Sequence, residues 1–104
     1  MNVDDGGKSM EVDVPKDVEA GQYANLSVVT HSNSDFVLDF AIVMPGINKP
    51  TVKSRIILAP EQAKRFLLAL QDNIGRYEYT YGEIELHDKP TRTATPFKIE
   101  KGEA

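Results

Sequence analysis

The spacing of apolar positions changes once along the chain, near residue 59, and separates a strand-forming part from a helical one. Met10, Val12 and Val14 alternate with Glu11 and Asp13 up to Pro15, the period-2 pattern of a half-buried strand. In YANLSVVTH, residues 23–31, Ala24, Leu26 and Val28 fall on one side and Tyr23, Asn25, Ser27 and Val29 on the other, which predicts a second strand. Ser32, Asn33 and Ser34 carry turn chemistry, and the following DFVLDFAIVM puts Phe36, Leu38, Phe40 and Ile42 on one face of a third strand. Pro45-Gly46 and Asn48-Lys49-Pro50 make the next loop, after which TVKSRIIL predicts a fourth strand with Val52, Ile56 and Leu58 on one face and Ser54 between them.

Antiparallel pairing should set apolar residues opposite apolar ones. A three- or five-residue loop centred on Asn33 pairs Val28 with Leu38, Leu26 with Phe40 and Ala24 with Ile42. The next hairpin pairs Phe36 with Leu58, Leu38 with Ile56, Phe40 with Ser54 and Ile42 with Val52. The opposite face then holds the rows Val29-Val37-Ile57, Ser27-Asp39-Arg55, Asn25-Ala41-Lys53 and Tyr23-Val43-Thr51. Two partly apolar rows flank a polar middle in which Asp39 and Arg55 compensate each other as a cross-strand pair.

Beyond Leu58 the period becomes 3.6. Pro60 suits a first helical position, where its missing N–H is no loss, and Glu61 suits the positive helix start. Ala63, Phe66, Leu67, Leu70, Ile74, Tyr77 and Tyr81 form one stripe, expected to cover the apolar sheet face. Glu61 with Arg65 and Asp72 with Arg76 are favourable i,i+4 pairs, and Gly82 is the expected cap. A helix over 60–81 is about 33 Å long against about 30 Å for a nine-residue strand, so its end, with Tyr77, Tyr79 and Tyr81, should overhang the sheet. Residues 83–87 alternate and could add a short edge strand. The predicted fold is therefore α+β: a four-stranded antiparallel meander followed by one long helix packed on one sheet face, β-β-β-β-α. Residues 10–86 form the single domain, between a flexible N-terminal arm over 1–9 and a mobile C-terminal tail over 87–104.

Composition narrows the function more than it suggests one. At 104 residues the chain has room for one domain, which buries roughly 65% of its unfolded surface, so self-association is physically useful to it. The absence of cysteine excludes disulfides, thiolate metal sites and cysteine nucleophiles. The net charge of −4 is uneven: residues 1–22 carry six acids and two bases, residues 23–82 five acids and six bases. The near-neutral middle offers no strong field for phosphate. No apolar run is long enough for a membrane span and the start lacks the layout of a secretory signal, which predicts a cytoplasmic protein without a membrane partner.

His31, Ser32 and Asp35 or Asp39 contain the residue types of a catalytic triad, but neighbouring strand residues point to opposite sides and no GxSxG elbow presents the serine. His31 and His87 are far apart and lack metal-ligand spacing, and no glycine-rich loop cradles a phosphate. The residues thus predict neither an enzyme nor a cofactor. Two binding readings remain. Lys49, Lys53 and Arg55, with Tyr23 for base stacking, would serve single-stranded nucleic acid. Tyr23, Val29, Val37, Val43 and Ile57 on the second sheet face, with Tyr77, Tyr79 and Tyr81 at the helix end, would serve a homo-oligomer or another protein partner. The second of these is favoured.

The run YANLSVVTHSNSDFVLDFAIVMPG, followed by VKSRIILAPEQAKRFLLALQDNIGRYEYTYGEI, resembles the short bacterial and archaeal proteins grouped as domain-of-unknown-function family 3467. The resemblance spans most of residues 11–86. It rests on Thr30-His31-Ser32, Asp39-Phe40, Met44-Pro45-Gly46, Ser54-Arg55, Pro60-Glu61 with Ala63-Lys64, Asn73-Ile74 and Tyr77-Glu78. It implies a free-standing intracellular domain and brings no established activity. Similar members place serine or threonine before the helix proline, where this chain has Ala59, a weaker cap by about 1 kcal/mol. The strands-then-helix order is shared with single-stranded nucleic-acid-binding modules of the transcriptional coactivator and purine-rich-element types, and loosely with the export chaperone SecB, a likeness of element order alone that adds a SecB-like chaperone as a further alternative.

Overall fold

A computed structural model describes residues 2–5, 8–87 and 93–94 of the chain. The elements are β1 (Asn2–Asp5), β2 (Lys8–Glu11), α1 (Lys16–Glu19), β3 (Leu26–His31), β4 (Phe36–Ile42), β5 (Thr51–Leu58), α2 (Pro60–Tyr81) and β6 (Thr93–Ala94). The class is α+β, with the strands of the antiparallel sheet preceding one long helix.

The antiparallel meander is three-stranded, β3-β4-β5, with β6 added to β3 in parallel. The strand expected at Met10–Val14 takes a different place. Lys8–Glu11 pairs with Asn2–Asp5 in a separate hairpin, so part of the segment expected to be a flexible arm is itself a strand. The strand ends at Glu11, short of Pro15, which is instead the N-cap residue of the short α1. Residues 83–87 add no strand; Ile84 donates its backbone N–H to the Glu78 carboxylate (3.0 Å) and Leu86 is exposed. Most of the expected tail lies outside the described residues, and within it Thr93–Ala94 runs beside Ser27 and Val28.

The first hairpin differs from the expected register by one residue. His31 pairs with Phe36, Val29 with Leu38, Val28 with Asp39 and Leu26 with Ala41, closing a four-residue loop over residues 32–35. The loop is held by its own polar atoms: the Ser32 N–H donates to the Asp35 carbonyl (2.9 Å), and the Ser34 and Asp35 N–H groups both donate to Ser32 Oγ (3.2 and 3.3 Å). An even loop reverses the parity of β3 against β4, since side chains alternate with period 2. Val29 therefore joins Phe36 and Leu38, while Val28 and Leu26 join Asp39 and Ala41.

The second hairpin follows expectation from Phe36–Leu58 to Phe40–Ser54, and Asp39 faces Arg55. Then a bulge intervenes, and Ala41 pairs with Val52 and Ile42 with Thr51, so Lys53 is the extra residue on β5. Beyond Leu26, Asn25 takes over from the ladder. Its side-chain amide donates to the Val43 carbonyl (3.1 Å) while its Oδ1 accepts from the Val43 N–H (2.7 Å), so one side chain satisfies both backbone groups of Val43.

The helix starts and ends where the sequence places it. Ala59 is its N-cap with no side-chain cap, Pro60 its first residue, and Gly82 at φ 102° its C-cap, with Gly82 N–H donating to Glu78 O (2.9 Å). The Glu61–Arg65 and Asp72–Arg76 ion pairs both form. Its packing departs from expectation: α2 buries none of its residues and meets the sheet chiefly beside β5, the strand it follows. Among the described residues the buried apolar side chains are Leu38 and Ala41, both on the central strand β4.

Candidate interaction surface

The first sheet face carries Val29 from β3, Phe36, Leu38 and Phe40 from β4, and Ser54, Ile56 and Leu58 from β5. Two different segments approach it. At one end the α1 region borders a cleft of about 470 Å³ with Val18, Gln22 and Tyr23 opposite Phe40, Lys53, Ser54 and Ile56. Gln22 reaches the sheet there, its Oε1 3.3 Å from Ser54 Oγ. At the other end α2 leans over the face and leaves an open groove of about 510 Å³, walled by Val29, Phe36 and Leu38 from the sheet and by Ala63, Phe66, Leu67 and Leu70 from the helix, with Lys64 at its rim.

The apolar stripe of α2 continues past this groove. Ile74, Tyr77 and Tyr81 line a shallow cleft at the helix end together with Ile84, and the rings of Tyr77 and Tyr81 pack on each other with centroids 5.0 Å apart. Tyr79 does not join them; it is 94% exposed and borders Asp72 and Arg76 on another side of the helix. The helix-end cluster expected from sequence is thus a pair of tyrosines in tilted contact with Ile74 nearby, and not three tyrosines.

The second face carries Leu26 and Val28, then Val37, Asp39 and Ala41, then Ile57, Arg55 and Val52. The row Val29-Val37-Ile57 expected there does not form: Val37 faces Ile57 across the ladder and Thr30 on its other side, and Val29 belongs to the groove. Ile57 is 60% exposed and Val43 is half-buried. Tyr23, 74% exposed, stands by the α1 cleft. Asp39, only 9% exposed, sits at the centre of this face, where Arg55 grips it with two bonds, Nε to Oδ1 (2.7 Å) and Nη2 to Oδ2 (2.9 Å). The Arg55 hydrogen bonds hold the Asp39 carboxyl below the ordinary carboxylate range against the opposing pull of burial, and the same bonds raise the Arg55 guanidinium.

The basic residues expected to act together are separated. Arg55 is bound to Asp39 on the second face, the bulged Lys53 borders the α1 cleft on the first, and Lys49 is exposed in the β4–β5 loop. The triad residue types are also apart in role: Ser32 Oγ is engaged by turn amides, the His31 ring stacks on Phe36 with centroids 5.4 Å apart, and Asp39 is held by Arg55. Among the described residues no three acidic or histidine side chains cluster as metal ligands, and no helix is long and apolar enough to cross a membrane.

A family model described as "Protein of unknown function (DUF3467)" matches residues 1–86. The chain belongs to this family. No curated protein and no solved structure matches it. The Pro60 helix start and the Met44-Pro45-Gly46 turn on which the resemblance rested lie within the matched region, as does Ala59, the departure from the pattern. The groove missed by sequence reading was traceable in one signal, the neighbouring Val28 and Val29, either of which can face Leu38.

Proposed function

We propose that this member of the family is a non-enzymatic, cytoplasmic protein-interaction module that acts as a homo-oligomer. The observation that carries the reading is the mismatch between elements and core: a 22-residue helix with none of its residues buried presents Phe66, Leu67, Leu70, Ile74, Tyr77 and Tyr81 at 39–75% exposure. Solvent-exposed apolar patches above a few hundred Å² mark interaction surfaces, and amphipathic tyrosines suit a surface that is wet in one state and covered in another. The second sheet face, where Ile57 and Val37 flank the Asp39–Arg55 pair, offers a smaller apolar area than the helix stripe and stays outside the proposed interface.

Sedimentation equilibrium of the full chain at micromolar concentration tests the reading. The expected result is a mass of two or more copies; a monomer across the concentration range overturns it.

A further inference from the structure

We propose that the partner seated on this surface is a second copy of the chain, docked by two-fold symmetry with its helix end in the groove of the first, an inference that rests on the self-association reading above. The stripe of α2 supplies the geometry. Ala63, Leu67, Leu70, Ile74, Tyr77 and Tyr81 recur at alternating steps of four and three, the spacing of a helix seam that meets another helix along its length. The groove occupies the first half of this seam and the overhanging tyrosines the second half. Each half is thus the part the other lacks. Two antiparallel copies place Ile74 against Leu70, Tyr77 against Leu67 and Tyr81 against the small Ala63, and the same contacts recur across the axis, as an isologous interface requires.

Area and charge agree with this occupant. The exposed fractions of the stripe, with Val29 and Ile84, leave roughly 700 Å² of accessible surface per copy, on the order of the ~800 Å² per partner of a standard stable interface. In the antiparallel arrangement Lys64, at the groove rim, comes beside Glu78 of the other copy, opposite charges on the same flank of the seam. A parallel arrangement would set Lys64 and Glu78 on opposite flanks, without this pairing, and leave the tyrosine end without a groove.

The chain has no cysteine, so introduced thiols report the geometry alone. Full-length Ala63→Cys and Tyr81→Cys copies, distinguished by mass, are mixed and oxidised. The mixed disulfide is the expected product, and Ala63→Cys with itself is not, since those two positions lie about 27 Å apart along antiparallel helices. Alongside it, Ile74→Glu is expected to raise the dimer dissociation constant at least tenfold and Ile57→Glu, on the second face, to leave it unchanged. A dimer in which Ala63→Cys links to itself, in which no link forms, or which responds to Ile57→Glu and not to Ile74→Glu overturns the groove docking while self-association stands. A monomer in sedimentation overturns both.

Discussion

Ala59 is the one position where the local chemistry of α2 falls short of what its geometry could use. The residue has the extended backbone of an N-cap, φ −65° and ψ 155°, and its carbonyl accepts the first intrahelical bond from Ala63 N–H (2.9 Å), but no side chain caps the helix. Pro60 has no N–H, so the free donors of the first turn are those of Glu61 and Gln62. A serine at 59 would place its hydroxyl at the Gln62 N–H, and Gln62, three residues on, can return its side chain to the N–H of residue 59, completing a capping box. Such a cap stabilises by about 1 kcal/mol. For a domain of this length that corresponds to a rise of about 4–8 °C in the melting midpoint. The assay is thermal unfolding by circular dichroism at one fixed protein concentration, because the proposed self-association would make the midpoint concentration-dependent. Ala59→Val, which adds bulk without an acceptor, should give no gain, and Gln62→Ala in the Ala59→Ser background should remove part of it. An unchanged midpoint for Ala59→Ser, or an equal rise for Ala59→Val, refutes the reasoning.

Two further perturbations follow from the sheet. Asn25→Ala removes both bonds to the Val43 backbone and leaves a part-buried N–H and carbonyl unpaired, so urea unfolding should show a loss of about 1–3 kcal/mol with an unchanged slope; a loss no larger than that of an exposed substitution counts against the clamp. Asp39 has its pKa lowered by Arg55, so its stabilisation is fully present above the unfolded value near 3.8 and is lost as pH falls through the lower folded value. Asp39→Asn should therefore be less stable than the parent at neutral pH and lose less on acidification below about pH 4. Parallel melting-midpoint curves for the two proteins across that range contradict it.

The sequence stated helix boundaries well because they are set by local chemistry. Pro60, Glu61 and Gly82 act through their own backbone geometry and need no tertiary partner, and both expected ion pairs on α2 formed for the same reason. Strand register is a different kind of quantity. The rule that apolar faces apolar favoured the other register: the observed one keeps Val29 opposite Leu38 and Leu26 opposite Ala41 but sets Val28 against Asp39 and Ser27 against Phe40. What decided between them was the closure of a four-residue loop around Ser32 Oγ and the stacking of His31 on Phe36, contacts of single atoms that composition does not rank. The Asp39–Arg55 pair was legible from either β3 register because both strands that carry it share the β4–β5 ladder. The bulge at Lys53 was not, since a polar residue between Val52 and Ser54 reads as ordinary alternation.

The candidate interaction surface moved with that one-residue slip. Assigning Val29 to the second face made that face look like two apolar rows in search of a cover; assigning it to the first turns the same valine into a wall of the groove beneath α2. Amphipathic spacing says that Phe66, Leu70, Ile74, Tyr77 and Tyr81 require burial, and it is silent on whose atoms provide it. The intramolecular answer, a helix laid flat on its own sheet, is the default for a single chain, yet here the helix buries none of its residues. A helix of 22 residues against a sheet crossed by seven- and eight-residue strands has apolar length to spare, and the α1 region borders the Phe40 end of the same face. The overhang of the helix and the opening of the groove are therefore two consequences of a single geometric excess. In the proposed dimer this excess is relieved, because each copy's surplus helix fills the other's deficit.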